Sequence, residues 1–320
     1  MLKAVAACAV LCSNSSTSAI RKMSSFSPAF PKFISVEGAD IHSRTKPDGF
    51  RFSLVSYNIL AQAYVKSSLF PHSPSPSLKW KLRSDTILAV LKNLGADFFC
   101  LQEVDEFDSF YKGNMQDLEY SSIYMKRSGQ KRDGCGLFYK HNRQFPMGTL
   151  QIMMNTPISR QFSQINKRMD PEWADVKLAQ AKYLLSRLAK FKTLISDRYE
   201  CIPEVILAGD FNSMPGDMVY RYLVSGNPSS NLMPDCLEES PIPLCSVYAS
   251  TRGEPPFTNY TPDFTGTLDY ILFSPSDHIK PISFLELPDS DAADIVGGLP
   301  NFIYPSDHLP IGAEFEIIEE

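Results

Sequence analysis

The chain reads as one α/β sandwich domain. Three observations lead there: strand-length apolar stretches that end in carboxylates or amides, two amphipathic helices between them, and no internal repeat or coiled-coil periodicity. At 320 residues, 43% of them apolar, the chain has ample material for a core.

Taken in order, order begins near Phe50, and Phe52–Tyr57 alternates as a strand that stops at Asn58. Prolines mark Ser73–Ser77 as a loop. A helix follows over about Leu78–Leu94, with Leu82, Ile87, Leu88 and Leu91 at helical spacing and Gly95 as its C-terminal cap. Asp97–Leu101 is a short buried strand that delivers Gln102 and Glu103, and Gly134–Tyr139 is another strand. A second helix carries Ala181, Leu184, Leu188, Phe191 and Ile195 on one face, with Asp170 as its cap and Pro171 in its first turn. Val205–Ala208 is a buried strand running into Gly209-Asp210, and Leu268–Phe273 and Ile311–Ile317 close the sheet. Gly226–Pro243 and Leu287–Pro300 read as loops.

A net charge of −5 argues against a protein that grips polyanions through bulk electrostatics. Bound metal ions could still supply positive charge locally. Seven scattered cysteines without a Cys-x-x-Cys pair suggest reduced thiols and no structural zinc. The first 36 residues lack Asp and Glu but carry Lys3, Arg21, Lys22 and Lys32, a composition that suits a transit peptide or a disordered leader. Residues 1–47 are therefore set apart from a domain over 48–320.

The chemistry sits in five short motifs: Ser56-Tyr57-Asn58, Leu101-Gln102-Glu103-Val104, Gly209-Asp210-Phe211-Asn212-Ser213, Thr267-Leu268-Asp269-Tyr270 and Ser306-Asp307-His308. Acids at the ends of several buried strands can converge on one point, where oxygen ligands hold Mg²⁺ and a histidine manages a proton. Asp210 and Asn212, two apart, share a face on an extended backbone. Asp269 is placed to hold His308 in one tautomer or charge state. Taken singly, each motif is also an ordinary strand end or turn.

The ordered set resembles the signature of the endonuclease/exonuclease/phosphatase family. The phrases Asn58-Ile59-Leu60-Ala61-Gln62, Asp170-Pro171-Glu172-Trp173-Ala174-Asp175 and Phe257-Thr258-Asn259-Tyr260-Thr261 are similar to those of carbon catabolite repressor 4-like deadenylases, especially short plant homologues without a leucine-rich-repeat region. The resemblance covers about Phe50–Glu320. It implies a four-layered αββα sandwich and a Mg²⁺-dependent 3′-exoribonuclease that shortens poly(A) tails, with two ions and Mn²⁺ as a substitute. It implies metal binding by Glu103, Asn58 and Asp307, and catalysis by Asp210, Asn212, Asp269 and His308. Phe264 would stack on adenine and Pro171 would support the base pocket. Implied partners are poly(A) RNA and recruiters within a deadenylase complex or among RNA-binding proteins, with no membrane. The implied location is cytoplasm and nucleus, with mitochondrion or chloroplast as the alternative from the leader.

The chain departs from the family in one stretch. The family carries a further His in an Asn-Thr-His-Leu phrase ahead of Asp-Pro-Glu-Trp, yet no His falls between Asn142 and Asp277. The nearest echo is Asn155-Thr156-Pro157-Ile158, with Pro157 in the His position. The stretch from 140 to 169 is also short for the family, so central strands are expected to be missing there. Two alternatives therefore stand: a phosphatase acting on a small phosphorylated nucleotide, such as a dinucleotide cofactor, as in the related nocturnin, and a catalytically impaired chain.

Overall fold

The structure is a computed structural model. It describes residues 31–36, 50–127, 129–141, 174–224 and 240–318, and the backbone of 7–10 and 151–154. Asp170, Pro171 and Pro157 lie outside the described residues.

The described strands are β1 (Ala7–Val10), β2 (Phe33–Ser35), β3 (Phe50–Asn58), β4 (Phe98–Val104), β5 (Tyr120–Lys126), β6 (Gly134–Lys140), β7 (Gln151–Met154) and β8 (Ile206–Asp210). They continue with β9 (Cys245–Ser246), β10 (Asn259–Tyr260), β11 (Thr265–Gly266), β12 (Asp269–Phe273), β13 (Ile279–Leu285) and β14 (Ile311–Ile317). The helices are α1 (Trp80–Leu94), α2 (Lys112–Asp117), α3 (Ala174–Tyr199), α4 (Met218–Leu223) and α5 (Val247–Thr251). No helix among the described residues is long and apolar enough to cross a membrane.

Two sheets face each other. One has seven strands in the order β2-β13-β14-β3-β4-β6-β5, with β3 and β4 parallel. The other has three, β8-β12-β9, all antiparallel. Strand alternation explains the layering, because successive side chains point to opposite faces. Phe52, Leu54, Phe98, Cys100 and Leu137 point inward and meet Ile206, Ala208, Ile271 and Phe273 of the smaller sheet. Their neighbours Val55, Tyr57, Phe99 and Leu101 point outward onto Ile87, Val90 and Leu91 of α1. On the far side Leu207, Tyr270 and Leu272 pack beneath Ala181, Leu184, Leu185 and Leu188 of α3. The result is the expected αββα order.

Several boundaries differ from the sequence reading. Ser75–Leu78 forms a 3-10 turn, so α1 begins at Trp80. Gly95 does cap the helix: its φ is 54° and its N–H reaches Leu91 O at 3.0 Å. β4 does not stop at Leu101 but runs on through Gln102 and Glu103, with its register to β6 shifting between Leu101 and Val104. Phe33–Ser35, inside the stretch read as leader, adds to β13 as an edge strand. β1 pairs antiparallel with β7. Cys100, Cys135 and Cys245 are free and buried, but Cys201 is disulfide-bonded. Linear spacing cannot show which thiols meet in space.

Candidate active site

The site forms at one end of the sandwich, where β3, β4, β8 and β12 finish or begin. Its centre is the Asn58 side chain. Asn58 Nδ2 donates to Glu103 Oε1 (3.3 Å) and to Asp210 Oδ2 (3.1 Å), and lies 3.4 Å from His308 Nε2. Asn58 Oδ1 accepts the Leu60 N–H at 3.1 Å, which fixes the amide's orientation. Three side chains, two from β4 and β8 and one from the loop before β14, thus meet around one amide at the end of β3.

Each acid is held separately. Glu103 is 2% exposed and its Oε2 accepts the Ala61 N–H at 3.0 Å. Its φ of 59° is a left-handed conformation that a side-chain-bearing residue seldom adopts, and the bulge in β4 turns it out of the strand's alternation. Asp210 is fully buried and pairs in register with Asp269 across the β8–β12 ladder. Two neighbouring carboxylates repel, so the smaller sheet keeps this end polar and in need of cations or protons.

Asn212 corrects the sequence argument. β8 ends at Asp210, and Asn212 is not on an extended backbone but at φ 49°. Its N–H donates to Asp210 Oδ1 at 2.9 Å, a local turn that both orients Asp210 and redirects the chain. Lys177 Nζ of α3 donates to Asn212 O at 2.7 Å.

Asp269 and His308 meet as expected, with His308 Nδ1 2.8 Å from Asp269 Oδ2. Thr258, a residue the sequence reading quoted without a role, donates to the same Oδ2 at 2.6 Å and accepts the Leu268 and Asp269 N–H groups. Asp269 Oδ1 is buried without a hydrogen-bond partner among the described residues. Burial pushes the Asp269 carboxyl up from its ordinary range, opposed by His308. Burial alone would strip the His308 proton, but Asp269, followed by Asp307 and Asp210, outweighs it and holds the imidazolium up to about 10. As an imidazolium His308 donates from both nitrogens. Its Nε2–H then faces the Asn58 amide nitrogen and has no acceptor among the described residues.

The sign of the resulting pH dependence follows. With a folded value above the ordinary 6.5 of a free imidazole, the pair's contribution to stability is complete below about pH 6.5 and is lost as pH rises through about 10. Asp269→Asn removes the anion that keeps the proton. The basic limb of the rate profile is expected to move from near 10 toward the ordinary imidazole range. A pH–rate series on both proteins checks this; an unmoved basic limb would assign that limb to another group.

Asp307 and Phe264 complete the rim. Asp307 is half-buried, and its Oδ1 is 3.4 Å from Ser306 Oγ. No hydrogen bond among the described residues joins its carboxylate to Glu103 or Asn58. Ser306 Oγ donates to Asn58 O at 2.6 Å, tying this loop to β3. Phe264 is 40% exposed at the tip of the β10–β11 hairpin, which is secured through Tyr260 N–H to Asp307 O at 3.0 Å. A Cβ at Gly266 would sit 2.9 Å from Met214 Sδ and 3.0 Å from Phe264 Cζ, so any side chain there would displace these two exposed residues. Pro171 lies outside the described residues, so its proximity to this rim is not described.

Arg83 is the residue that sequence reasoning missed. It is 1% exposed on α1 and forms no ion pair among the described residues. Its Nη2 donates to Ile59 O (2.8 Å) and Leu60 O (2.6 Å), Nη1 to Gln62 Oε1 (2.7 Å), and Nε to Pro305 O (2.8 Å). One guanidinium thereby clamps the loop whose Ala61 holds Glu103 to the loop that carries His308. The signal was an arginine at an apolar-spaced position of α1, which periodicity alone treats as surface.

Among the described residues no three His, Cys, Asp or Glu side chains cluster as a metal cage. That donor set does not suit zinc. It does suit Mg²⁺, which keeps much of its water and takes one or two carboxylates with substrate phosphate. Glu103, flanked by Asn58, is the carboxylate that would hold such an ion, and Asp269 Oδ1 is a second buried oxygen with no hydrogen-bond partner among the described residues. Of the described histidines, only His308 belongs to the site; His72 binds Leu299 O and His141 lies beside Ser121.

Several known proteins are similar to this chain in sequence or fold. Carbon catabolite repressor protein 4 homolog 4 of Arabidopsis thaliana is 50% identical over an alignment of 387 residues, covering 92% of each chain. That alignment is longer than the 320-residue chain, so the relative carries residues without counterparts here. The CCR4-Not complex 3′-5′-exoribonuclease subunit Ccr4 of Schizosaccharomyces pombe is 28% identical over 86% of this chain, which spans 50% of that protein's length. In three dimensions the fold is shared with ANGEL2, a 2′,3′-cyclic phosphatase (TM-score 0.67, 23% identity, 90% of this chain and 99% of that one). It is shared too with the catalytic domain of human nocturnin (TM-score 0.58, 22% identity, 90% and 98%). The family model described as Endonuclease/Exonuclease/phosphatase family matches residues 55–308, from the strand before Asn58 to His308. With four-fifths of its length under that model and half its residues identical to the plant homologue, the chain belongs to the endonuclease/exonuclease/phosphatase family.

Proposed function

We propose that the protein is a Mg²⁺-dependent 3′-exoribonuclease that removes adenylate from poly(A) tails. The observation that carries this reading is the convergence of Glu103, Asp210 and the Asp269–His308 pair on the Asn58 amide, with an unengaged His308 Nε2–H facing the same space. Support for the substrate comes from the plant and fungal relatives, the latter described as 3′-5′-exoribonuclease subunits. A CCR4-Not-like recruiting complex is the partner class that the same relatives suggest.

Bound Mg²⁺ would neutralise charge on the scissile phosphate and acidify a water. The remaining work falls to the chain's own side chains. Asp210, oriented by the Asn58 and Asn212 N–H groups, takes the proton of the attacking water. His308, held by Asp269, offers Nε2–H to a phosphate oxygen as charge develops there. Asn212, at the turn its left-handed backbone makes, would contact the metal or the phosphate. The exposed Phe264 ring supplies a stacking platform for adenine, which lets an acidic chain prefer a base without a basic surface.

The test is a gel assay on 5′-labelled RNA ending in adenylates, with Mg²⁺ and with EDTA, beside Glu103→Ala. Stepwise shortening that needs both Mg²⁺ and Glu103 supports the reading. Shortening that persists in Glu103→Ala would misplace the metal site. Phosphate release from a phosphorylated dinucleotide without RNA shortening would favour the small-molecule phosphatase instead. No turnover from a cooperatively melting protein would favour the impaired chain, whose sequence support is the lack of a His between Asn142 and Asp277.

Phe264→Ala is expected to lower discrimination between adenylate and other homopolymer tails, with about 1–3 kcal/mol of stacking lost per base. Competition between labelled poly(A) and poly(U) tails measures it. An equal loss on every homopolymer would remove Phe264 from base selection.

A further inference from the structure

The charge of the chain is unevenly spread. Lys126, Arg127, Lys131 and Arg132 place four cations within seven residues of a chain whose net charge is −5, and no Asp or Glu occurs from Tyr120 to Arg132. These residues are the turn between β5 and β6, where Lys126 pairs with Gly134. Gly134 in turn pairs with Val104, the residue after Glu103. The turn therefore projects from the same end of the seven-stranded sheet as the active site.

A second set of contacts fixes the turn to the site. Ala61 N–H holds Glu103, and Gln62–Tyr64 is the 3-10 turn that follows. Tyr64 OH donates to Asp133 Oδ1 at 2.5 Å, and Lys131 Nζ lies 5.6 Å from the centre of the Tyr64 ring. Arg127 is consumed by an ion pair with Asp133 and a backbone bond to Asp133 O. Lys126, Lys131 and Arg132 are exposed and have no carboxylate partner among the described residues. Asp105, the nearest acid along β4's continuation, is occupied by the Ala63 N–H at 2.9 Å. The turn is thus braced by one arginine and presents three cations, one of them, Lys131, over the Tyr64 ring.

We propose that the β5–β6 turn is a single-stranded RNA backbone site, in which Lys126, Lys131 and Arg132 bind phosphates on the 5′ side of the nucleotide being removed. The inference rests on the exoribonuclease reading above and extends it to the length of RNA the protein senses. Cations interleaved with an aromatic face are the pattern that tracks a single strand without reading its sequence. Such a site also explains how an acidic protein retains a polyanion: the favourable field is confined to the mouth of the site.

The experiment compares the full chain with the variant Lys126→Gln/Lys131→Gln/Arg132→Gln, and with Arg187→Gln/Lys190→Gln on the exposed face of α3 as a remote control. Fluorescence anisotropy of a labelled oligoadenylate of about twenty residues is read in EDTA, so that turnover plays no part, from about 50 to 200 mM salt. The triple variant is expected to bind roughly ten-fold more weakly. The slope of log affinity against log salt should fall by about 0.7 for each lost contact, or about 2 in all. In Mg²⁺ its KM for long tails should rise with kcat unchanged, while turnover of a triadenylate stays the same. Equal affinity and equal slope in wild type and triple variant would overturn the proposal, as would an equal loss in the α3 control or no binding by wild type. The two readings separate cleanly. Hairpin-dependent binding without any RNA shortening would keep the site and reject the exoribonuclease. Shortening that ignores the triple change would do the reverse. A thermal melt of the triple variant matching wild type shows that the loss is not unfolding, as expected for three exposed side chains.

Discussion

Asp210→Asn is expected to lower turnover by roughly 10²–10⁴-fold, the range a positioned general base contributes. The substitution keeps the shape and leaves an oxygen to accept the Asn212 N–H, so the turn after β8 survives. It removes the lone pair and charge that would receive the proton of water. It also faces an amide toward the Asn58 Nδ2, which now donates to Asp210 Oδ2 at 3.1 Å. The loss should fall on kcat, because the base acts on water and not on the bound RNA. Single-turnover rates for the two proteins, at matched metal concentration, provide the check. A variant within about three-fold of wild type would show that another group takes the proton.

Arg83→Met is expected to destabilise the protein by on the order of 3 kcal/mol or more. The change strands three buried carbonyls, Ile59 O, Leu60 O and Pro305 O, and each buried acceptor left without a partner costs about 1–3 kcal/mol. Desolvation already works against the Arg83 charge, lowering its proton affinity, so part of the loss returns with an apolar side chain. The larger consequence is local. Leu60 sits at φ 53°, and a strained backbone persists only where neighbours hold it. Without the clamp, Ala61 N–H and Glu103 should lose register. Urea melts measure the first effect, and Arg83→Lys tells charge from geometry because a lysine cannot span all four acceptors. A midpoint shift worth less than about 1 kcal/mol for Arg83→Met would remove Arg83 from this role.

Much of this architecture is legible in the chain. Ile311–Ile317 and the core of β3 follow from alternation, and the apolar face of α3 from its helical period. Gly95 marks the end of α1 because a left-handed cap favours a residue without Cβ. β5 and β13 were not legible. β5 carries a serine on each face of an edge strand, and β13 carries Pro281 beside a register shift to β14, which breaks period-two alternation. Glu103 differs from the sequence reading in its position: it does not follow its strand but lies in a bulge within it.

What the sequence alone determines is the list of chemical groups. Acids, amides and one histidine at the close of buried strands follow from motif order, because a strand's end is set by local pattern. Tertiary structure decides how they meet. The pairing of Asp210 with Asp269, the Thr258 hydroxyl on that carboxylate, the left-handed turn at Asn212 and the Arg83 clamp each join residues far apart in the chain or depend on backbone torsions that only packing enforces. Local propensity acts over a few residues, whereas the Asn58 amide collects partners 45, 152 and 250 positions away. Only the closing of two sheets over one core brings those distances to about 3 Å.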